Sequence, residues 1–380
     1  MLQCARITGR YSRCSTSRNG TYIVLICIAV PLSSSICNVC RSRGPLRKCA
    51  LTLERYSRLI EDNRYHRQRS SSWLEVSISA VVSIVLVDNS TPQMSPKPHS
   101  LLVIPAKSGH HRQSFVILHG RGSNGNKFGS ELLATHIPGY GLLQDVFPDA
   151  RIIFPTAAKR RAKIYKRTPI HQWFDNWSLD SPTEHDELQF DGLRDNSTVI
   201  HELIEAEIAV VGAHNVILWG LSQGCAASLI ASMLWQQPPF AATIGMCGWL
   251  PLRHRMEHAL VAVPSEEPNP FSAYDSQATK SDIDEAVAYL RDELDLRPAS
   301  ASEMLPTLPV FLGHGAEDDR VPVALARDAN AFLSRLEINV QYEEYEGLAH
   351  WYSGYMLRDI VHFIQSRVGW PLGPTPAPME

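Results

Sequence analysis

The run Val216-Ile217-Leu218-Trp219-Gly220-Leu221-Ser222-Gln223-Gly224-Cys225 constrains this chain more than any other ten residues. An apolar, strand-like stretch ends in G-x-S-x-G and passes into a helix-forming segment, Ala226-Ala227-Ser228-Leu229-Ile230. A serine on so sharp a strand-to-helix turn must adopt strained backbone geometry, and the flanking glycines remove side chains that would collide there. The turn lifts the Ser222 hydroxyl clear of the sheet. It also aims the unpaired amides of the following helix at negative charge developing beside that hydroxyl.

Such a serine becomes a nucleophile only with a base and an acid to orient the base, and in this motif the acid precedes the histidine downstream. Both follow here at the ends of strand-like runs. Leu308-Pro309-Val310-Phe311-Leu312 breaks into the polar loop Gly313 to Pro322, where Glu317, Asp318 and Asp319 are adjacent carboxylates. Asp318 is the expected acid and Asp319 its rival. Val340 to Tyr345 leads through Glu346-Gly347-Leu348-Ala349 to His350, just ahead of an amphipathic stretch carrying Leu357, Ile360, Val361 and Ile364. The expected catalytic set is therefore Ser222, Asp318 and His350.

Acyl transfer also needs donors for the oxyanion. One is the amide of Gln223, directly after the nucleophile. The second is expected from the glycine-rich loop His119-Gly120-Arg121-Gly122-Ser123-Asn124-Gly125, which follows the strand Phe115 to Leu118, through the amide of Arg121.

These blocks together resemble the phospholipase/carboxylesterase family that contains the acyl-protein thioesterases. The resemblance rests on His119-Gly120-x-Gly122, the elbow, Cys247-Gly248-Trp249-Leu250-Pro251-Leu252, His314-Gly315-x-x-Asp318-x-x-Val321-Pro322, Gly347-x-x-His350 and the block Trp173-Phe174-Asp175. It implies an α/β-hydrolase acting on carboxylic esters or thioesters through an acyl-serine. Acylated proteins, lysophospholipids or small esters are the implied substrates, and no metal or organic cofactor is implied. A catalytically silent binding protein on the same scaffold is the contrasting reading, which an intact Ser222, Asp318 and His350 weighs against. Trp173, Phe174 and Trp249 are candidates to line an acyl pocket, with core packing as the competing role. The chain departs from the family pattern at Arg121, where an apolar residue is usual, and at Ala316 and Asp319, where aspartate and proline are usual. Arg121 is expected to keep its backbone donor while placing a cation at the mouth of the site.

Strand-like runs at 101–104, 115–118, 151–154, 216–219, 241–246, 309–312 and 340–345 alternate with helical periodicity at 198–211, 223–234, 324–336 and 352–367. That alternation predicts a mostly parallel central sheet with helices on both faces and a site at the carboxyl ends of the strands. Residues 94–370 are expected to form this domain. The charged segment 253–305 is read as an insert, a helix plus loops over one edge of the site, and 371–380 as a disordered proline-rich tail.

At 380 residues and 44% hydrophobic composition, the chain has ample material for a core. The net charge of −3 argues against nucleic acid as a partner. That average conceals a split of +8 in residues 1–93 (13 Lys and Arg against 5 Asp and Glu) and −11 beyond (23 against 34). Six of the eight cysteines fall in the first fifty residues, leaving Cys225 and Cys247 in the catalytic region, which suits a reducing compartment and a cytoplasmic location. Tyr22 to Leu32 and Val76 to Val87 are apolar runs shorter than a membrane-spanning helix; the first has signal-peptide length, which would imply secretion or anchoring. The preferred reading treats residues 1–93 as a poorly defined basic extension ahead of Met94. Cys37 and Cys40 have zinc-like spacing without a second ligand pair. The basic cluster Lys159 to Arg167 reads as a solvated loop, with peripheral contact to anionic membrane as its functional alternative. His119 and His314 are expected to order their own loops, and Cys225 to be a small packed residue.

Overall fold

The computed structural model describes residues 100–261, 281–299 and 305–374, together with the backbone of short strands between residues 3 and 28. The chain divides into two units, residues 1–93 and 94–380. In the first, Gln3–Ile7, Tyr11–Ser15 and Leu25–Ile28 pair antiparallel, and Ser17–Arg18 pairs with Thr21–Tyr22. Leu25–Ile28 belongs to the first apolar run; the second run, Val76 to Val87, and the Cys37–Cys40 pair lie outside the described residues.

The second unit is built on a seven-stranded sheet. Numbered from Ser100, its strands are β1 (Ser100–Ile104), β2 (Gln113–Leu118), β3 (Ala150–Thr156), β6 (Val216–Leu221), β7 (Ala242–Met246), β8 (Val310–Gly315) and β9 (Val340–Tyr345), with β4 (Lys159–Ala162) and β5 (Thr168–His171) forming a separate hairpin. The order across the sheet is β9-β8-β7-β6-β2-β3-β1. Only β1, paired with β3, runs antiparallel. This is the expected α/β-hydrolase arrangement.

Strand periodicity divides the core in two. Val116, Leu118, Val216 and Leu218 point to one face, whereas Phe115, Ile117, Ile217 and Trp219 point to the other. Because both faces are covered, Phe115 to Leu118 of β2 and all of β6 read as unbroken apolar runs, and every residue in both strands is buried. The first face carries α2 (Phe190–Val211), α3 (Gln223–Met233) and α6 (Val323–Arg335); the second carries α1 (Gly125–Leu133) and α7 (Gly354–Phe363). All of α3 is buried, which accounts for its lack of a polar stripe.

Several elements differ from the sequence reading. Helix α2 begins at Phe190, eight residues ahead of the expected start, because its first turns turn polar groups inward: Asn196 Nδ2 donates to the carbonyls of Trp173 and Gly192. Residues 159–167, read as a loop, lie within the β4–β5 hairpin, whose cations mask any apolar alternation. Among the described residues after Leu252 there are two helices where the sequence reading expected one, α4 (Arg253–Val261) and α5 (Asp282–Glu293), which bury Met256, Ala286, Val287 and Leu290 against the first face. The start of the proline-rich tail is also ordered: the Gly373 amide donates to Val146 O at 2.7 Å and Leu372 packs on the second face. No helix among the described residues is long and apolar enough to cross a membrane.

Candidate active site

The site forms where β6, β8, β9 and β2 end. Ser222 follows β6 with φ 57° and ψ −119°, a conformation costly for any residue with a side chain. Its surroundings hold it there. A Cβ on Gly220 would lie 2.2 Å from Gly224 C, and one on Gly224 would lie 2.4 Å from Leu118 O, so neither position admits another residue without displacing backbone. The Ser222 amide donates to Met246 O at 2.7 Å, tying the turn to β7.

The three expected side chains meet. Ser222 Oγ lies 3.0 Å from His350 Nε2, and His350 Nδ1 lies 2.7 and 3.0 Å from the two Asp318 oxygens. The carboxylate can only accept from Nδ1–H, which leaves the Nε2 lone pair facing the hydroxyl proton. Asp318 Oδ1 also accepts from the amides of Arg320 and Val321 at 2.9 and 2.8 Å. Burial alone would raise the Asp318 pKa, but the bonds from His314, His350 and these amides outweigh it and hold the carboxyl well below the ordinary range. Asp319 is exposed and has no part in this relay.

His314, read from sequence as ordering its own loop, does more. It is 1% exposed, and its Nε2–H is shared between Val321 O at 2.9 Å and Asp318 Oδ2 at 3.2 Å. Its place on β8, four residues before Asp318, was visible; the direction of its ring was not.

On the opposite side of the hydroxyl, Gly120 approaches so closely that an added Cβ would stand 3.4 Å from Ser222 Cβ. The amides of Gly122 and Ser123 are engaged by the carbonyls of His171 and Gly120. The Arg121 amide has no backbone carbonyl partner among the described residues. Gln223 opens α3, where first-turn amides have no acceptor within the helix. Both expected donors are thus available. The Arg121 guanidinium is not a free cation at the mouth: Nε donates to Gln172 Oε1 at 3.0 Å, Asp175 is 3.5 Å away and the Tyr165 ring 4.9 Å below.

A neutral network braces this loop. His119 Nδ1–H donates to Gly120 O at 2.7 Å while Nε2 accepts from the Ala157 amide at 3.1 Å. Desolvation pushes its pKa down to about 4, so the ring stays uncharged. The Gln223 side chain, whose role was not legible in sequence, accepts from Trp173 N and donates to Phe174 O and Asn176 Oδ1. Cys225 and Cys247 are buried thiols; burial raises both pKa values, that of Cys247 to about 12, which removes them as competing nucleophiles.

The three aromatic candidates separate. Trp173 and Phe174 are fully buried, Trp173 through a hydrogen bond to His119 O at 2.8 Å, so they support the site from within and line no accessible surface. Trp249 packs edge-on against Phe174 and borders a cleft of about 230 Å³ with Asn176, Leu179, Leu250, Leu252 and Leu325. Among the described residues no group of three His, Cys, Asp or Glu side chains is arranged to hold a metal ion.

A profile of the phospholipase/carboxylesterase family matches residues 99–269 and 295–368. The chain is similar to acyl-protein thioesterase 1 of Schizosaccharomyces pombe, 24% identical over 280 residues that cover 73% of this chain and 100% of that protein. The Kluyveromyces lactis protein of the same name is 22% identical over 272 residues, covering 70% and 97%. Among solved structures, Zea mays acyl-protein thioesterase 2 shares the fold at 21% identity with a TM-score of 0.51, over 71% of this chain and 99% of that one.

Proposed function

The chain belongs to the phospholipase/carboxylesterase family and is a carboxylic ester or thioester hydrolase; on that premise we propose that Ser222, His350 and Asp318 are its catalytic residues and that acylated proteins are its substrates. The observation that carries the assignment of residues is the continuous hydrogen-bonded path from Ser222 Oγ through both His350 nitrogens to Asp318. His350 takes the serine proton as Oγ attacks the acyl carbonyl, and Asp318 stabilises the imidazolium that results. The Arg121 and Gln223 amides receive the oxyanion. His350 then returns the proton to the leaving thiolate or alkoxide, an acyl-serine remains, and water activated by the same imidazole releases the acid.

The thioesterase names of the relatives support acyl-protein substrates, and the cleft beside Trp249 is assigned to the acyl chain. Peripheral contact with anionic membrane is assigned to the β4–β5 hairpin, whose exposed Ile164 and Tyr165 stand among Lys163, Lys166 and Arg167. Two buried reduced cysteines fit a cytoplasmic location.

A fluorophosphonate probe should label the wild-type protein, and Ser222→Ala should abolish labelling and lower kcat on the order of a millionfold. Labelling that survives Ser222→Ala would remove this serine from the mechanism. Comparing a palmitoylated peptide with short p-nitrophenyl esters tests the substrate class; strong preference for the short oxygen esters would favour a small-molecule carboxylesterase.

A further inference from the structure

The loop that carries the proposed oxyanion donor has little of its own to hold that donor in place. The Arg121 amide is flanked by Gly120, which lies against Ser222, and by Gly122, whose φ of 79° bends the chain immediately afterwards. Neither glycine has a side chain to anchor the loop. The direction of the donor is fixed by its own peptide unit: Gly120 O accepts from His119 Nδ1–H at 2.7 Å and from the Ser123 amide at 3.2 Å, and in a trans peptide the Arg121 N–H points the opposite way. Where that unit sits is set from outside the loop. The Gly122 amide donates to His171 O, at the end of β5, at 2.7 Å. The Arg121 side chain reaches the same hairpin and the residues that follow it at three points, with Nε on Gln172 Oε1 at 3.0 Å, Nη2 3.5 Å from Asp175 and Cζ 4.9 Å from the centre of the Tyr165 ring. Those partners are tied down in turn: Asp175 accepts from the Lys163 amide at 3.1 and 3.3 Å, and Gln172 Nε2 donates to Arg160 O at 3.4 Å.

We propose that the Arg121 side chain is a positioning residue that clamps its own amide in the oxyanion hole, with the β4–β5 hairpin as the anchor; the inference rests on the hydrolase reading above. A donor stabilises the oxyanion only when it lies within hydrogen-bond range of the place where charge develops, and losing one costs about a hundredfold to a thousandfold in kcat. A misplacement of about 1 Å already costs about a hundredfold. The guanidinium suits this task because its planar fork meets Gln172 and Asp175 while its face lies on Tyr165, a combination that an ammonium group cannot make. Its charge is matched by Asp175, so the side chain acts through where it holds the loop. The apolar residue usual at this position in the family could make neither polar contact.

The test compares variants of the full chain on a short p-nitrophenyl ester, with kcat expressed per serine labelled to completion by a fluorophosphonate so that misfolded protein is not counted. In Arg121→Ala, which keeps the amide, kcat should fall by about a hundredfold with KM changed less than about twofold, because the clamp serves the transition state alone. The Ki of a trifluoromethyl ketone, whose adduct with Ser222 carries the same oxyanion, should rise by about as much. Partial unfolding alone would leave these constants at wild-type values in the labelled fraction, and that result overturns the proposal. Arg121→Lys should recover no more than about tenfold of the loss; full recovery would assign the effect to charge and overturn the clamp. If Arg121→Ala yields no folded protein, Tyr165→Ala at an exposed position removes only the ring beneath the guanidinium and should lower kcat by about threefold, with recovery in Tyr165→Phe. Equal rates in those two variants overturn the proposal. Failure of the hydrolase reading would look different: the wild-type chain would neither be labelled nor cleave the ester, and the clamp would fall with it.

Discussion

Around Ser222 the chain is locked by backbone and neutral groups, whereas helices α4 and α5 combine a few buried apolar residues with a network of ion pairs to their neighbours. At the elbow, Gly220, Gly224 and the Met246 carbonyl leave the serine no alternative position, and His119 braces the oxyanion loop as an uncharged ring. In the α4–α5 region Arg255 bridges Asp186 and Glu293, Arg253 bridges Glu257 and Asp328, and Arg335 of α6 reaches Asp282 at 3.0 Å. The difference teaches where variation is tolerated. Close-packed backbone allows almost no substitution, while a layer held by side-chain pairs can change shape and charge without disturbing the reacting atoms.

The sharpest break in that comparison should come from the buried carboxylate of Asp318 in the rigid half. Asp318→Asn preserves the shape but reverses the hydrogen-bonding sense towards His350 Nδ1, and kcat should fall by about ten-thousandfold with stability much less affected. Near-normal turnover would show that Asp318 does not orient the imidazole. A smaller effect is expected from Arg255→Met in the charged half, which leaves Asp186 with only His254 as its cationic partner. Urea unfolding should register a loss of about 3 kcal/mol while labelling of Ser222 persists. Equal loss of labelling would mean that the two regions are mechanically coupled.

The pH response of His119 sharpens the contrast from the other direction. Its folded pKa of about 4 lies below the value of 6.5 expected in the unfolded chain, so the unfolded state binds the extra proton. Stability from this group is complete above pH 6.5 and is lost as the pH falls towards about 4, amounting to about 3 kcal/mol. Denaturant titrations across that interval should show a steeper decline in the wild type than in His119→Gln. Matching slopes would place the ring outside the neutral brace described here.

Legibility in the sequence followed the locality of each signal. The elbow is a contiguous pattern, and strands β2, β6 and β9 announced themselves because burial on one or both faces leaves a periodic record. Helix α4 was missed because it buries only Met256 among Arg253, His254, Arg255 and Glu257. Trp173 and Phe174 prove buried, and an aromatic supporting a site from the core and one lining its pocket leave the same trace in a sequence. For Arg121 the backbone role and the side-chain role had to be separated, and only the fold shows the guanidinium turned onto Gln172, Asp175 and Tyr165.

The amino-acid order by itself determined the strand-turn-helix that strains Ser222, the succession of acid and histidine, and the alternation that demands a covered parallel sheet, since each depends on residues close together along the chain. Tertiary structure alone decided that Asp318 rather than Asp319 meets His350, that His314 gives the acid a second partner, and that the paired Arg253 and Asp328 border the cleft beside Trp249. Those outcomes depend on the directions in which side chains leave separate strands and helices. Such directions are set only when the elements pack.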